Sequence, residues 1–240
     1  MTSPQSPSEQ SQLVWRYMSF GRFLWLIHNK SLWLSRADLL GDEWEMSLAG
    51  EQLKRVIERH PLTPLPEPET RPEIARERAA RIVKNWRRTT FVNCWSACVY
   101  ESHALWRVYC PSVEGVAIQA TLAGLRSSVG LPLEVLPVTY AIPGNSSETP
   151  TRKDLITKKR PMFDYEHEYR VVLIREEENP DDNVKGYEVE WHPEKWVQSI
   201  RVHPEADEAF AETVRKVVEH YAPALKKCVK WSSMTESPPF

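Results

Sequence analysis

The residues best suited to chemistry lie in one stretch, residues 158–174, which reads KKRPMFDYEHEYRVVLI. Glu166, Glu168 and Arg170 alternate there, just before a β-branched run that is typical of a buried strand. If extended geometry begins near Tyr165, the two-residue period places all three side chains on one face. Two carboxylates about 7 Å apart beside a guanidinium cost free energy to bring together. The pattern predicts a partly buried charged site, with catalysis and structural ion pairing as equal alternatives.

Further charged side chains flank this stretch or lie far from it in the sequence. Lys159 precedes it, and Asp42 and Glu45 occupy the segment GDEWE at residues 41–45, after a predicted strand and turn. Polar side chains held by such turns often serve function. Asp42 has a second interpretation, favoured slightly, as the N-cap of a following helix.

An aromatic block is the third candidate. Trp95 lies near the end of a strand predicted at residues 90–96, and Glu101, Trp106 and Tyr109 follow on a short helix predicted at residues 101–109. Helical spacing places Trp106 and Tyr109 on one face, where they would stack a base or a nicotinamide ring. The alternative, that this aromatic wall is plain core, is about twice as common.

Composition excludes several functional classes. A net charge of −2 and a pI near 6.4 argue against a general nucleic-acid binder. The chain has only eight Gly and neither a Walker A nor a Rossmann fingerprint, which removes the commonest phosphate loops. Its four Cys show no zinc-ligand spacing, so no metal is expected. Ser96 and His103 lack a nucleophile elbow, which makes hydrolase chemistry of the serine type a poor fit.

The order of predicted elements indicates a single α+β domain at residues 13–232, with a mixed, mostly antiparallel sheet flanked by helices. Residues 1–12 form a polar, disordered lead, and residues 233–240 a flexible C-terminus. Five prolines make residues 61–72 an extended linker or lid. A basic amphipathic helix at residues 74–88 is either a solvated face or a phosphate contact. No membrane span is predicted, and the expected location is the cytoplasm.

The sequence resembles a bacterial family known only as domain of unknown function 2971, along most of its length. This resemblance brings no established activity. It rests on these blocks, in order: Trp15-Arg16-Tyr17; Ser35, Gly41, Asp42 and Glu45; residues 91–95 (FVNCW); residues 100–109 (YESHALWRVY); residues 114–119 (EGVAIQ); Val138 and Tyr140; and Lys159, Arg160, Phe163, Glu166, Glu168 and Arg170.

More remotely, the layout resembles the ADP-ribosyltransferase fold, which has a split sheet and grips NAD. The resemblance implies that Arg16 neutralises the pyrophosphate, Ser35 orients the nicotinamide ribose and Glu168 holds its 2′-hydroxyl. Glu166 completes an E-x-E pair with Glu168. Trp95 or Trp106 would stack the departing ring. The implied ligand is nucleotide-like, with a protein or nucleic acid as a possible acceptor.

Three hypotheses follow. An NAD-consuming transferase or glycohydrolase, ranked first, predicts that Arg16, Ser35 and Glu168 converge on one cleft. A non-catalytic sensor or interaction domain, ranked second, predicts that the polar cluster is a structural network. A metal-dependent nuclease, ranked third, needs Asp42, Glu45, Glu166 and Glu168 within about 5 Å of one point.

Overall fold

A strand rich in β-branched and aromatic residues, β3 (Thr90–Ser96), runs through the middle of the computed structural model. The model describes residues 11–48, 52, 55–56, 72–142, 149–177 and 180–236. The bounds of β3 agree with those predicted. It pairs antiparallel along its whole length with β8 (Glu168–Ile174), from Thr90 opposite Ile174 to Ser96 opposite Glu168. This pairing places Glu168, the first residue of β8, opposite the last residue of β3.

Nine strands form one sheet within the described residues. The two strands that come last in the sequence pair in parallel, and the other pairings in this sheet are antiparallel. β5 (Glu134–Pro137) lies beyond β8. The remaining order is β11 (Val229–Trp231), β10 (Ser199–Val202), β4 (Gly115–Thr121), β1 (Leu13–Ser19), β3, β2 (Ser31–Arg36) and β9 (Gly186–Glu190). A separate parallel pair joins β6 (Thr139–Tyr140) to β7 (Lys158–Lys159).

The sheet is split along one edge of β3. β1 meets β3 only where Trp15 lies opposite Ser96, and β2 meets it only at Ser35 opposite Val92 and at the next residue. Between these two contacts β1 and β2 diverge. The helix that links them, α1 (Phe20–Asn29), packs against both strands. The divergence leaves space inside the sheet, next to Arg16 and Ser35.

The longer helices pack through the apolar residues on one face. On α7 (Glu208–Tyr221), for example, Ala211, Val214 and Val218 are buried in the main core cluster. The other helices are α2 (Pro72–Arg88), α3 (His103–Tyr109), α4 (Leu122–Ser128), α5 (Arg152–Ile156) and α6 (Pro193–Trp196). The predicted α+β class, with one domain and a mostly antiparallel sheet flanked by helices, is confirmed.

Several predicted boundaries differ from the structure. The strand predicted at residues 133–140 is two short strands, β5 and β6, that join different sheets. Ser233–Thr235, assigned to the flexible C-terminus, form a short 3-10 turn capped by Ser232. Three predicted segments lie wholly or partly outside the described residues. They are residues 1–10 of the lead predicted at 1–12, most of the helix predicted at 47–60, and residues 61–71 of the linker predicted at 61–72. In the part of the chain that is described, no helix combines the length and the apolar character that crossing a membrane requires.

Candidate functional site

The charged segment reaches its site by a different backbone path from the predicted one. Residues Pro161–Glu166 form a 3-10 helix, and His167 follows in the left-handed region with φ of 43°, so β8 begins only at Glu168. The prediction of one continuous strand from Tyr165 is therefore wrong. The two carboxylates still converge, because Lys159 Nζ lies 2.5 Å from Glu166 Oε2 and 3.4 Å from Glu168 Oε2.

Arg170 is the centre of a buried ion-pair network. Its guanidinium is 1% exposed and donates to both oxygens of Glu168, at 2.9 and 3.0 Å. It also donates to both oxygens of Glu45, at 2.9 and 2.7 Å, and to the carbonyl of Ile156 at 2.6 Å. These contacts use all five N–H donors of the side chain. Arg170, Glu45 and Glu168 thus satisfy one another inside the protein.

The environments of the two carboxyls push their pKa values apart. Burial raises the pKa of Glu168, but the charge and hydrogen bonds of Arg170 outweigh it and lower the pKa to about 2. For Glu166, burial outweighs the hydrogen bond from Lys159, and the pKa lies above its usual value. Such a divided pair is the usual arrangement in sites that use one carboxylate for charge and another for proton transfer.

Glu166 has neighbours that can position it for proton transfer. Tyr109 donates from its hydroxyl to Glu166 Oε1 at 3.3 Å, and Lys159 contacts the other oxygen. Burial and the nearby Glu166 raise the pKa of Tyr109, so its hydroxyl keeps its proton at neutral pH. The charges of the surrounding carboxylates raise the pKa of Lys159 despite its burial. Both neighbours therefore act as hydrogen-bond donors.

Asp42 is held by an ion pair and within a turn. Its two oxygens accept from Arg160, at 2.8 and 3.2 Å, and Oδ1 also accepts from the backbone N–H of Trp44 at 3.1 Å. The residues after it form a turn, so the favoured N-cap interpretation has no support in the described residues. Asp42 instead fixes Arg160 beside the charged cluster.

The carboxylates described above, together with Lys159 and Arg170, border a cavity of about 410 Å³. Arg16 reaches it from β1 and donates to the carbonyl of Cys94 at 2.6 Å, across the split in the sheet. Ser35 reaches it from β2. Arg16, Ser35 and Glu168, which were predicted to converge on one cleft, all line this cavity. The predicted site residues that line the cavity are Arg16, Ser35, Asp42, Glu45, Trp95, Tyr109, Lys159, Glu166, Glu168 and Arg170.

Two predicted residues are not among those lining the cavity. Trp106 is 1% exposed, because its ring packs edge-on against Tyr17 at 5.0 Å and His203 at 5.1 Å. Its indole N–H donates to Glu101, which also accepts from the hydroxyl of Ser232. Glu101 therefore anchors the C-terminal segment, and Trp106 has no face free for a ligand.

Trp95 borders the cavity but its ring belongs to the core. The side chain is 1% exposed, packs against Trp191 with ring centroids 5.9 Å apart, and donates to Asn93 Oδ1 at 2.8 Å. Stacking of a departing ring on either Trp95 or Trp106 is thus excluded by their packing. The same periodicity describes a core aromatic and a binding aromatic, so the sequence does not separate the two.

Three cavity or network residues escaped the sequence analysis. Arg22, exposed on α1, lies close enough to Arg16 to lower the pKa of Arg16, an effect that adds to that of burial. Cys94 is near Glu168, and burial raises the pKa of its thiol. Tyr140 accepts the backbone N–H of Glu168 at 2.8 Å. Cys94 and Tyr140 both stood in recognised sequence blocks, but neither had an assigned role.

The carboxylates of the nuclease hypothesis are already paired with cations. Asp42 is bound by Arg160, Glu45 and Glu168 by Arg170, and Glu166 by Lys159. Among the described residues, no group of three or more His, Cys, Asp or Glu has a metal-binding arrangement. The guanidinium and ammonium groups already balance the charge of these carboxylates.

The basic helix α2 uses its last arginines to hold neighbouring segments. Arg87 donates to the carbonyl of Glu43 at 2.6 Å, and Arg88 donates to the carbonyl of Pro180 and pairs with Asp182. These contacts favour a structural role for this end of the helix.

No family model, curated protein or solved structure matches the chain.

Proposed function

We propose that the protein is an NAD-consuming enzyme that breaks the bond between nicotinamide and ribose and transfers ADP-ribose to water, a protein or a nucleic acid. The observation that carries the proposal is the meeting of Arg16, Ser35, Glu166 and Glu168 at one cavity beside a split in the sheet. These residues come from β1, β2 and the β8 region, far apart in sequence.

The two arginines at the cavity suit a pyrophosphate. Arg16 is half-buried, donates to a backbone carbonyl, and has no carboxylate within ion-pair distance among the described residues. Burial and the repulsion from the nearby Arg22 lower the pKa of Arg16, and the carboxylate of Glu168 offsets only part of this effect. Phosphate oxygens between the two guanidiniums would accept charge-assisted hydrogen bonds and remove that repulsion. Arg16 and Arg22 would therefore bind the diphosphate.

Glu168 supplies fixed negative charge to the reaction. With its pKa at about 2 it is ionised at neutral pH, and its field stabilises the positive charge that develops at C1′ as the glycosidic bond breaks. Both of its oxygens already accept from Arg170. The resemblance to the ADP-ribosyltransferase fold gives direct contact with the ribose to Glu168, but in this proposal that contact passes to Glu166.

Glu166 is the proposed general base. The bond from C1′ to the nicotinamide nitrogen breaks, and its electron pair leaves with nicotinamide. Water or an acceptor hydroxyl then bonds to C1′, and its proton moves to the carboxylate of Glu166. A pKa above the usual carboxyl value makes Glu166 a stronger base, and Lys159 and Tyr109 hold its oxygens in place.

Release of nicotinamide from NAD by the purified protein tests this proposal. The Glu166→Gln variant should lose about 10²- to 10⁴-fold in rate, because positioned bases contribute that much. Glu114→Gln, the same substitution at an exposed position that lines neither this cavity nor the one next to it, is the matched control and should keep full activity. Wild-type protein that neither binds nor cleaves NAD, with or without protein and nucleic-acid acceptors, would refute the proposal.

One observation favours a second candidate, a non-catalytic sensor of the same ligand. The complete hydrogen bonding of Arg170 by Glu45, Glu168 and Ile156 is typical of a structural network. Such a sensor would bind NAD without releasing nicotinamide, and Glu166→Gln would leave its affinity for NAD unchanged. The same nicotinamide assay, combined with calorimetric binding, separates the two candidates.

A further inference from the structure

A second cavity, of about 460 Å³, lies next to the first. The two cavities share Arg16, Arg22 and Ser35 in their linings. Each volume is in the usual range of small-molecule sites. The reaction proposed above uses only the cavity that contains Glu166. The shared arginines are therefore a junction between two chambers, and a diphosphate bound there has one chamber on each side.

The second chamber has an aromatic wall built from β2 and α1. Because strand residues alternate in direction, Ser31, Trp33 and Ser35 share one face of β2, and all three line the chamber. Trp25 on α1 also lines the chamber. Met18 and Leu26 add apolar surface, so the chamber has far more apolar than charged character away from the junction.

The ring of Trp33 is exposed yet held in a fixed position. It is 41% exposed, and it packs against Trp25 in a T-shaped contact with ring centroids 5.9 Å apart and planes at 85°. Gly186 on the paired strand β9 approaches it so closely that a Cβ there would lie 2.6 Å from the ring. A large aromatic side chain that is fixed but not covered suits a flat ring stacked on its open face.

The nearby polar groups are already satisfied within the protein. Asn93 donates to the carbonyl of Trp33 and accepts from Trp95, and Ser31 donates to the carbonyl of Asn29. Asn93 and Ser31 therefore have few free donors or acceptors with which to hydrogen-bond the edge of a base. Stacking, which every base can provide, is then the main source of affinity in this chamber.

We infer that the second chamber binds the adenine half of a dinucleotide by stacking on Trp33, with the diphosphate at Arg16 and Arg22. The inference rests on the proposed function for the other half, whose glycosidic bond lies beside Glu166. It makes the site selective for dinucleotides over mononucleotides, through two chambers joined at a cationic junction.

Calorimetric binding of AMP, ADP-ribose and nicotinamide mononucleotide tests the inference without turnover. Trp33→Ala should weaken binding of AMP and ADP-ribose by about 5- to 100-fold, the usual range for one stacked base. Binding of nicotinamide mononucleotide should stay unchanged. Trp33→Phe should recover most of the loss, and Tyr100→Ala, at another exposed aromatic, should have no effect. Trp33→Leu repeats the test with more apolar bulk if the alanine variant folds poorly.

The outcomes separate this inference from the proposed reaction. If wild-type protein cleaves NAD but the Trp33 variants keep the same KM for NAD and the same affinity for AMP, the second chamber is not the adenine site and the reaction stands. If AMP binds in a Trp33-dependent way and NAD is never cleaved, the chamber is supported and the reaction fails. Equal losses for all three ligands, or no binding of AMP to wild-type protein, would also overturn the inference.

Discussion

Replacement of Glu168 by Gln should destabilise the protein at neutral pH by about 3 kcal/mol. The pKa of this carboxyl is lowered from 4.5 to about 2, chiefly by Arg170 and against the effect of burial. Each unit by which the pKa in the folded state lies below that in the unfolded state stabilises the folded state by about 1.4 kcal/mol. The stabilisation is therefore about 3 kcal/mol at pH 7. The amide of Gln keeps the shape of the side chain but loses the charge, and its NH₂ faces the N–H donors of Arg170. For a domain of this size the expected fall in Tm is roughly 6–12 °C.

The pH dependence gives this prediction its sharper form. Because the folded pKa of Glu168 lies below the unfolded one, its stabilising contribution is complete above about pH 5 and is lost as the pH falls toward 2. At pH 3 about 1.5 kcal/mol of it should remain. Urea unfolding of wild type, Glu168→Gln and the exposed control Glu188→Gln, at pH 7 and pH 3, measures the difference directly.

Two results would contradict this reasoning. A Glu168→Gln variant as stable as the control at pH 7 would show that Arg170 does not lower the pKa of Glu168. A deficit that stays constant from pH 7 to pH 3 would show that the lost stability comes from shape or hydrogen bonding and not from the charge of Glu168.

Three other substitutions have expected effects on the free energy of unfolding, each measurable by urea or thermal denaturation. Arg170→Met should cost about 3–5 kcal/mol because it leaves two buried carboxylates without their cation. Arg170→Lys has fewer hydrogen-bond donors and should recover only part of this loss of stability. A Met variant as stable as wild type would contradict the network. Gly115→Ala should cost about 1–3 kcal/mol, since its Cβ would lie 2.6 Å from Cys110 Cβ, whereas Gly21→Ala, with no atom within 4 Å, should be neutral or stabilising. Asp207→Ala should cost about 0.5–2 kcal/mol through loss of the N-cap of α7, and an unchanged Tm would show that the cap contributes nothing.

Much of the secondary structure could be predicted because it depends on local patterns. The β-branched and aromatic run at β3 and the apolar stripe of α7 show the periodicity of their elements within a few residues. The irregular chain around His167 could not be predicted. A positive φ at a residue other than Gly is rare, and here surrounding tertiary contacts must hold it in place.

The sequence by itself determined which side chains could do chemistry: acids and bases at 166, 168 and 170, and an Arg and a Ser on the first two strands. Only the tertiary structure decided their roles. It paired Arg170 with Glu45, 125 positions away, which commits Glu168 to the network and leaves Glu166 with the higher pKa. It also buried Trp95 and Trp106 while leaving Trp33 open beside Arg16. The reason is physical: burial and ion pairing set pKa values and free surface, and both depend on contacts between residues distant in sequence.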